Sequence, residues 1–299
     1  MNGSSQLVFD GAGRRQAIVD VCRSARQSLI LSVFRCDDFG IISEITGAVQ
    51  RGVSVRVLMS RDARGWKKRL QRLAGLLQSA GAEIQRYNGA IEKYHAKYLV
   101  ADGTTAVVSS SNLTHKCFKR TCDFLFRVHD SALVIGLKDL FEHDCRTPEL
   151  PLPPLPERLI IGPETARGRL TSLLESAKSS ISIMDHRVTD SSLIDVIESR
   201  KRDGVNVRIL GRGAIDGMIS HGKMLVIDER IGAIGSVALS PPSLDSRREL
   251  AITIEEPELV AELSRFFEYC TGRHVPGRPP VSDADDDDED GEDTPDETD

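Results

Sequence analysis

HAKYLVADGTTAVVSSSN (95–112) and HGKMLVIDERIGAIGSVA (221–238) are one phrase written twice, superposed by a single offset of 126 residues. His95 falls on His221, Lys97 on Lys223, Asp102 on Asp228, Ser109-Ser110 on Gly235-Ser236 and Asn112 on Ala238. The same offset carries Asp123 onto Glu249. Two copies of one histidine, one lysine, small hydroxyl residues and an acid point to an active site built from two halves. Within each copy, the apolar runs KYLVA and KMLVI are followed, after Asp-Gly or Asp-Glu-Arg, by TAVVSS and IGAIGS. That pattern predicts two adjacent strands joined by a tight turn.

The repeat continues upstream with another offset. AIVDVCRSARQSLILSVF (17–34) and GRLTSLLESAKSSISIMDH (168–186) each read as an amphipathic helix running into a strand, and RGVSVRVL (51–58) matches DGVNVRIL (203–210) at an offset of 152. Each copy is therefore helix, strand, helix, strand, then the His-Lys phrase, a sequence of elements that argues for α/β layers. The change of offset gives the first copy 26 extra residues, all within 59–94. There Trp66, Leu70, Leu73, Leu76 and Leu77 recur at helical spacing, and Arg61, Arg64, Lys67, Lys68, Arg69 and Arg72 crowd the start. This predicts a basic amphipathic helix, with Arg64, Lys67 and Lys68 as candidate contacts to a phosphate backbone.

Five prolines in RTPELPLPPLPERL (146–159) favour an extended linker. The expected division is an N-terminal repeat (1–148), a Pro-rich linker (149–158), a C-terminal repeat (159–275) and an acidic, disordered tail (276–299). The formal charge of −6 hides an asymmetry: residues 283–299 carry twelve acids and no base, which leaves 39 bases against 33 acids in the rest. A basic body can attract an anionic substrate. No stretch approaches the ~20 apolar residues of a membrane span, and the start lacks the pattern of a signal peptide. The six cysteines show no CxxC pair or metal-ligand rhythm; buried reduced thiols fit a cytoplasmic protein.

A histidine and a lysine two apart on a strand share a face. Lysine offers three donors and a point charge to a phosphoryl oxygen, and histidine can attack or shuttle a proton near neutral pH. With two copies, one His can attack while the other protonates the leaving group, and the lysine pair can hold the developing charge. No cluster of acids with metal-ligand spacing accompanies them, so no metal or other cofactor is expected.

HxKxxxxDxxxxxxGS, present twice with helix–strand repeats, resembles the phospholipase D superfamily over roughly residues 10–275. The resemblance implies an α/β fold of two similar halves, each a mixed β-sheet flanked by helices, packed about a pseudo-two-fold axis with one active site between them. A monomer can then hold both half-sites in one chain. It implies that His95 is the nucleophile forming a phosphohistidine and that His221 is the general acid, later the base. Lys97, Lys223 and Asn112 would bind the non-bridging oxygens, with Ser110 and Ser236 supporting that pocket. Asp123 and Glu249 would orient the imidazoles across the interface, Glu249 to His95 and Asp123 to His221. Asp102 and Asp228 would brace the strand turn. The chain departs from the family pattern at Ser109, where glycine is usual, at Asp123, one methylene shorter than the common Glu or Gln, and at Ala238, where a second Asn would stand. Among the other histidines, His186 is a candidate to line the cleft and His115 a rim residue, while His129, His143 and His274 read as structural or exposed. Arg35, Asp37 and Asp38 follow the first strand and are cleft candidates.

The residues favour a nuclease or nucleic-acid phosphodiesterase, because the body is basic and the inserted helix clusters Arg and Lys. Aromatic content of 5% supplies no evident stacking platform for single strands. The alternatives are a phospholipase or phosphatidyltransferase acting on phospholipid, and a non-catalytic module that binds nucleic acid in the same cleft.

Overall fold

Along the described chain the strands alternate between two buried faces, and that alternation decides the layering. In the first sheet Ile30, Tyr98, Val100, Val108 and Phe126 share one core, whereas their neighbours Leu29, Leu31, Leu99, Val107 and Leu125 share another. Period-two burial on both faces requires a layer on each side. A computed structural model describes residues 4–277 apart from 62 and 64. Arg64 and residues 278–299 of the acidic tail therefore lie outside the described residues, while Pro276, expected to begin that tail, pairs with Gly213 in a short strand.

The first sheet has seven strands in the spatial order Gln6–Val8, Leu125–Val128, Thr105–Ser109, Tyr98–Ala101, Ser28–Val33, Ser54–Met59 and Glu83–Arg86. The last three run parallel and the others pair antiparallel. The second sheet repeats this order with Leu159–Gly162, Arg247–Ile254, Ile231–Gly235, Lys223–Ile227, Ser180–Met184 and Asn206–Leu210. Helices Gly11–Ser24, Phe39–Gln50 and Lys67–Ala80 cover the outer face of the first sheet, and Ala166–Ser176 and Ser191–Arg202 that of the second. Helices Ser131–Arg146 and Pro257–Thr271 pack with the inner faces of both sheets in one shared core. The expected mixed sheets flanked by helices are present in both halves.

Local chemistry starts these helices. Asp38 and Asp190, equivalent at the offset of 152, accept from Ile41 N at 3.0 Å and Leu193 N at 3.1 Å as N-caps. The turns inside the repeated phrase are braced as expected. Asp102 accepts from the backbone N–H groups of Arg26, Gln27 and Ser28, and Asp228 from those of Lys178, Ser179 and Ser180. Both aspartates have φ of 53°, which Asn and Asp tolerate better than most residues. Replacing Asp228 by Asn keeps an acceptor and the left-handed preference but removes the charge. We expect a loss of about 1 kcal/mol in urea unfolding, with kcat unchanged.

Three features go beyond the sequence reading. The inserted helix is Lys67–Ala80 and buries Leu70, Leu73 and Leu77, but Leu76 stands 51% exposed. A 3.6-residue period places Leu76 just beyond the edge of the buried stripe. The segment 147–158 has no helix or strand, yet it is packed rather than free: Leu152 and Leu155 rest on the shared core and Leu150 O accepts from His143. Finally, the halves exchange strands. Lys93–Tyr94 joins the second sheet, parallel to Arg247-Arg248, and Met218–Ser220 pairs in parallel with Thr121–Cys122.

Candidate active site at the seam of the two halves

These two short exchanged pairings create the site. Lys93–Tyr94 leads directly into His95, and its partner Arg247-Arg248 leads into Glu249. His95 N donates to Arg248 O at 2.8 Å, so the imidazole of one half is delivered to the carboxylate of the other. The second crossing is its counterpart. Met218–Ser220 leads into His221, Thr121–Cys122 into Asp123, and Gly222 N donates to Cys122 O at 2.8 Å. The histidines lie in the lead-in to the strands rather than within them, since the strands begin at Tyr98 and Lys223.

His95 Nδ1 stands 2.8 and 2.9 Å from the two oxygens of Glu249, and His221 Nδ1 stands 2.9 and 3.1 Å from those of Asp123. Both expected cross-pairs are formed, and the shorter Asp123 side chain still reaches. Burial pushes the Glu249 carboxyl up, but the charge and N–H of His95, the Lys97 ammonium and Ser236 outweigh it and hold the group at about 2. Asp123 is pushed up by burial too. His221, Arg14 and Thr121 overcome that and leave it well below the ordinary carboxylate range. Two ionised carboxylates each accepting from Nδ1 leave the Nε2 atoms of both rings for chemistry.

The two lysines differ. Lys97 Nζ lies 2.8 Å from His95 Nε2 and 2.9 Å from His95 O. Lys223 Nζ is buried and has no hydrogen-bond partner among the described residues. Its charge acts on Asp185, a carboxyl that burial drives above its ordinary value against the pull of Leu239 N–H, Lys223 and Arg187 N–H. Exposure is unequal as well: the His95 side chain is 2% exposed and that of His221 15%.

Of the two serines expected to support the phosphate pocket, Ser110 turns to a carboxylate and Ser236 to the backbone next to one. Ser110 Oγ donates to Asp123 Oδ1 at 2.7 Å, and Ser236 Oγ lies at hydrogen-bond distance from the backbone of Leu250. A buried hydroxyl takes the nearest strong acceptor, and the acid strand runs beside each serine. Asn112 is buried and lies with Lys97 and Ser109 around one small cavity. Gly235 tolerates no side chain, because a Cβ there would meet Leu250 O at 2.2 Å, whereas Ser109 has room in the first half and contacts Ser111.

Lys67 and Lys68 stand exposed on their helix. Arg69 instead lines a separate cleft of about 710 Å³ with Asp37, Phe39, His115, Phe118 and Lys119. Arg35 is buried, lies over the rings of Phe34 and Trp66, and lines the same small cavity as Lys97 and Asn112. Asp38 pairs with Arg15, and Asp37 accepts from His115 N. Sequence reasoning missed Arg14, which is 1% exposed and lies 3.8 Å from Asp123, and Ser243, which bridges Ala238 N and Glu249. It also missed Phe34, which packs edge-on against His95 with centroids 4.6 Å apart. The doubled spacing could have flagged Phe34, since the offset of 152 sets it opposite His186.

The family described as "Cardiolipin synthase, PLD-like domain" matches residues 18–145 and 212–271, which include both His-Lys phrases and both acids. The chain belongs to this phospholipase D-like family. Cardiolipin synthases of Listeria welshimeri and Listeria monocytogenes are 29% identical over 161 residues, or 49% of this chain. The match spans only 33% of the length of those relatives. Among solved structures, phosphatidylserine synthase from Haemophilus influenzae aligns over 91% of this chain and 87% of its own, with TM-score 0.72 and 13% identity. Polyphosphate kinase from Porphyromonas gingivalis aligns over 89% of this chain and 50% of its own, with TM-score 0.72 and 17% identity. Both share the fold. Among the described residues no helix is long and apolar enough to cross a membrane.

Proposed function

We propose that this chain transfers phosphatidyl groups between alcohols through a covalent phosphohistidine. The observation that carries the chemistry is the crossed pair of His–carboxylate contacts with a lysine beside each histidine. His95 Nε2, its lone pair set by the Nδ1 contact to Glu249, attacks phosphorus, and the P–O bond to the leaving alcohol breaks. His221 gives its Nε2 proton to the departing oxygen. The neutral His221 then takes a proton from the incoming alcohol, whose oxygen displaces His95 and restores both rings. Lys97, Lys223 and Asn112 hold the non-bridging oxygens, and their charge stabilises the transition state without a metal ion. Ser110 and Arg14 steady Asp123, and Ser243 steadies Glu249.

The substrate assignment rests on kinship and replaces the preference for nucleic acid read from charge. Cardiolipin synthases and a phosphatidylserine synthase, all named for phospholipid products, stand among the similar proteins. The test is a panel of phosphatidylglycerol and phosphatidylcholine vesicles, single- and double-stranded DNA, and RNA, all in EDTA. We expect new phospholipid from phosphatidylglycerol and no nucleic-acid cleavage. Cleavage of nucleic acid alone returns the protein to the nuclease reading, and turnover that needs an added divalent metal removes the mechanism.

A further inference from the structure

Around the two histidines the halves differ at three aligned positions. The offset of 152 places Val33-Phe34 opposite Asp185-His186, and the offset of 126 places Asn112 opposite Ala238. The first half thus offers His95 an apolar pair and an amide. The second offers His221 an acid–imidazole pair and a methyl group. These differences meet in space. The His186 ring stacks on that of His221, with centroids 5.7 Å apart and planes 20° from parallel. Asp185 Oδ1 lies 3.9 Å from His186 Nδ1, and Asp185 Oδ2 accepts from Leu239 N at 2.6 Å. Leu239 immediately follows Ala238, so the buried Asp185, next in sequence to His186, is hydrogen-bonded to the turn that lacks the amide. Phe34, edge-on to His95, has no polar atom to offer there. His186 keeps 17% of its side chain exposed, beside the 15% of His221.

We propose that His186 binds substrate: its ring N–H donates to a non-bridging phosphoryl oxygen in the second half, taking the place of the missing amide at 238. The inference rests on the phosphoryl-transfer reading above. An imidazole suits the task because it donates in either neutral tautomer and more strongly when charged. Stacking on His221 sets the plane of the ring.

The test compares the full chain with His186→Phe, His186→Gln and the double variant His186→Phe/Ala238→Asn. Inorganic phosphate binding is measured by calorimetry and turnover with phosphatidylglycerol vesicles, after circular dichroism has confirmed the fold of each. Loss of one charge-assisted hydrogen bond predicts phosphate binding weaker by about 10-fold or more in His186→Phe, with kcat/KM falling in step. His186→Gln, which restores a donor without the ring, and Ala238→Asn in the Phe background should each recover much of that loss. Wild-type phosphate affinity and turnover in His186→Phe would overturn the inference and leave His186 as packing for His221. So would a loss that neither donor restores, or a wild-type chain that does not bind phosphate. If phosphate binding follows the expected order while wild type turns over no lipid, the substrate assignment fails and the role of His186 stands.

Discussion

His95→Ala is expected to lower phosphatidyl transfer by on the order of 10⁴-fold or more, and to abolish covalent labelling of the protein. His221→Ala should be comparably slow with an ordinary alcohol leaving group but should still become labelled when the leaving group is p-nitrophenol, which departs without a proton. The proposed roles follow the family resemblance, and the surroundings of the two histidines are unequal. His95 is almost fully buried, its Nδ1 is held by a carboxylate at about 2, and its Nε2 meets the Lys97 ammonium at 2.8 Å. An imidazole so enclosed can form a P–N bond shielded from water. His221 has more exposure, where an alcohol can enter and leave. Rapid quenching with acyl-labelled lipid analogue, followed by acid treatment to cleave a phosphoramidate, reads out the intermediate. A label that survives His95→Ala and disappears in His221→Ala would exchange the two roles.

Arg248→Met is expected to destabilise the protein by about 3–5 kcal/mol, because it strands a buried charge. Arg248 is fully buried. Its Nε lies 3.1 Å from Asp144 Oδ2, its Nη1 donates to Gly162 O at 2.9 Å, and its Nη2 donates to Glu164 Oε1 at 3.0 Å. Asp144 comes from the helix Ser131–Arg146 of the first half and is itself 0% exposed. Without the guanidinium its nearest partner is His143 Nδ1, at 3.1 Å. The double variant Arg248→Met/Asp144→Leu removes both charges and should recover most of the loss, since a well-packed apolar replacement of a buried pair is often neutral or better. Urea unfolding midpoints at constant m-value measure both effects. A single variant within about 1 kcal/mol of wild type would show that water reaches Asp144.

Doubling made the fold and the chemistry legible in sequence. One histidine two residues from a lysine carries no information, but His95-Lys97 and His221-Lys223 at one offset, each followed by its acid, define a two-part site before any coordinates. The Asp102 and Asp228 turn braces were legible for the same reason. The joins were not. Lys93–Tyr94 and Thr121–Cys122 are strands of two residues, too short to show any period, and each pairs with the other half of the chain. Arg14 and Arg248 carry no signal in "GRRQ" and "RREL", because their partners lie more than a hundred residues away (Asp123 and Asp144). Charge clustering was legible too: the Lys67–Lys68 run falls on an exposed helix face. Ser110 and Ser236 were found by their place in the motif, but which atom a hydroxyl chooses depends on the strand beside it.

The exchanged strand pairs have a consequence for how such a chain can change over generations. A duplicated module ordinarily frees one copy to drift. Here Asp123 sits in the first copy and serves the second, while Glu249 sits in the second and serves the first. A lesion in either acid disables the histidine encoded in the other repeat, so neither repeat can decay as a spare. The copies are at liberty to diverge only in what they do not trade, as the inserted helix, Ala238 and the Asp185-His186 pair already have.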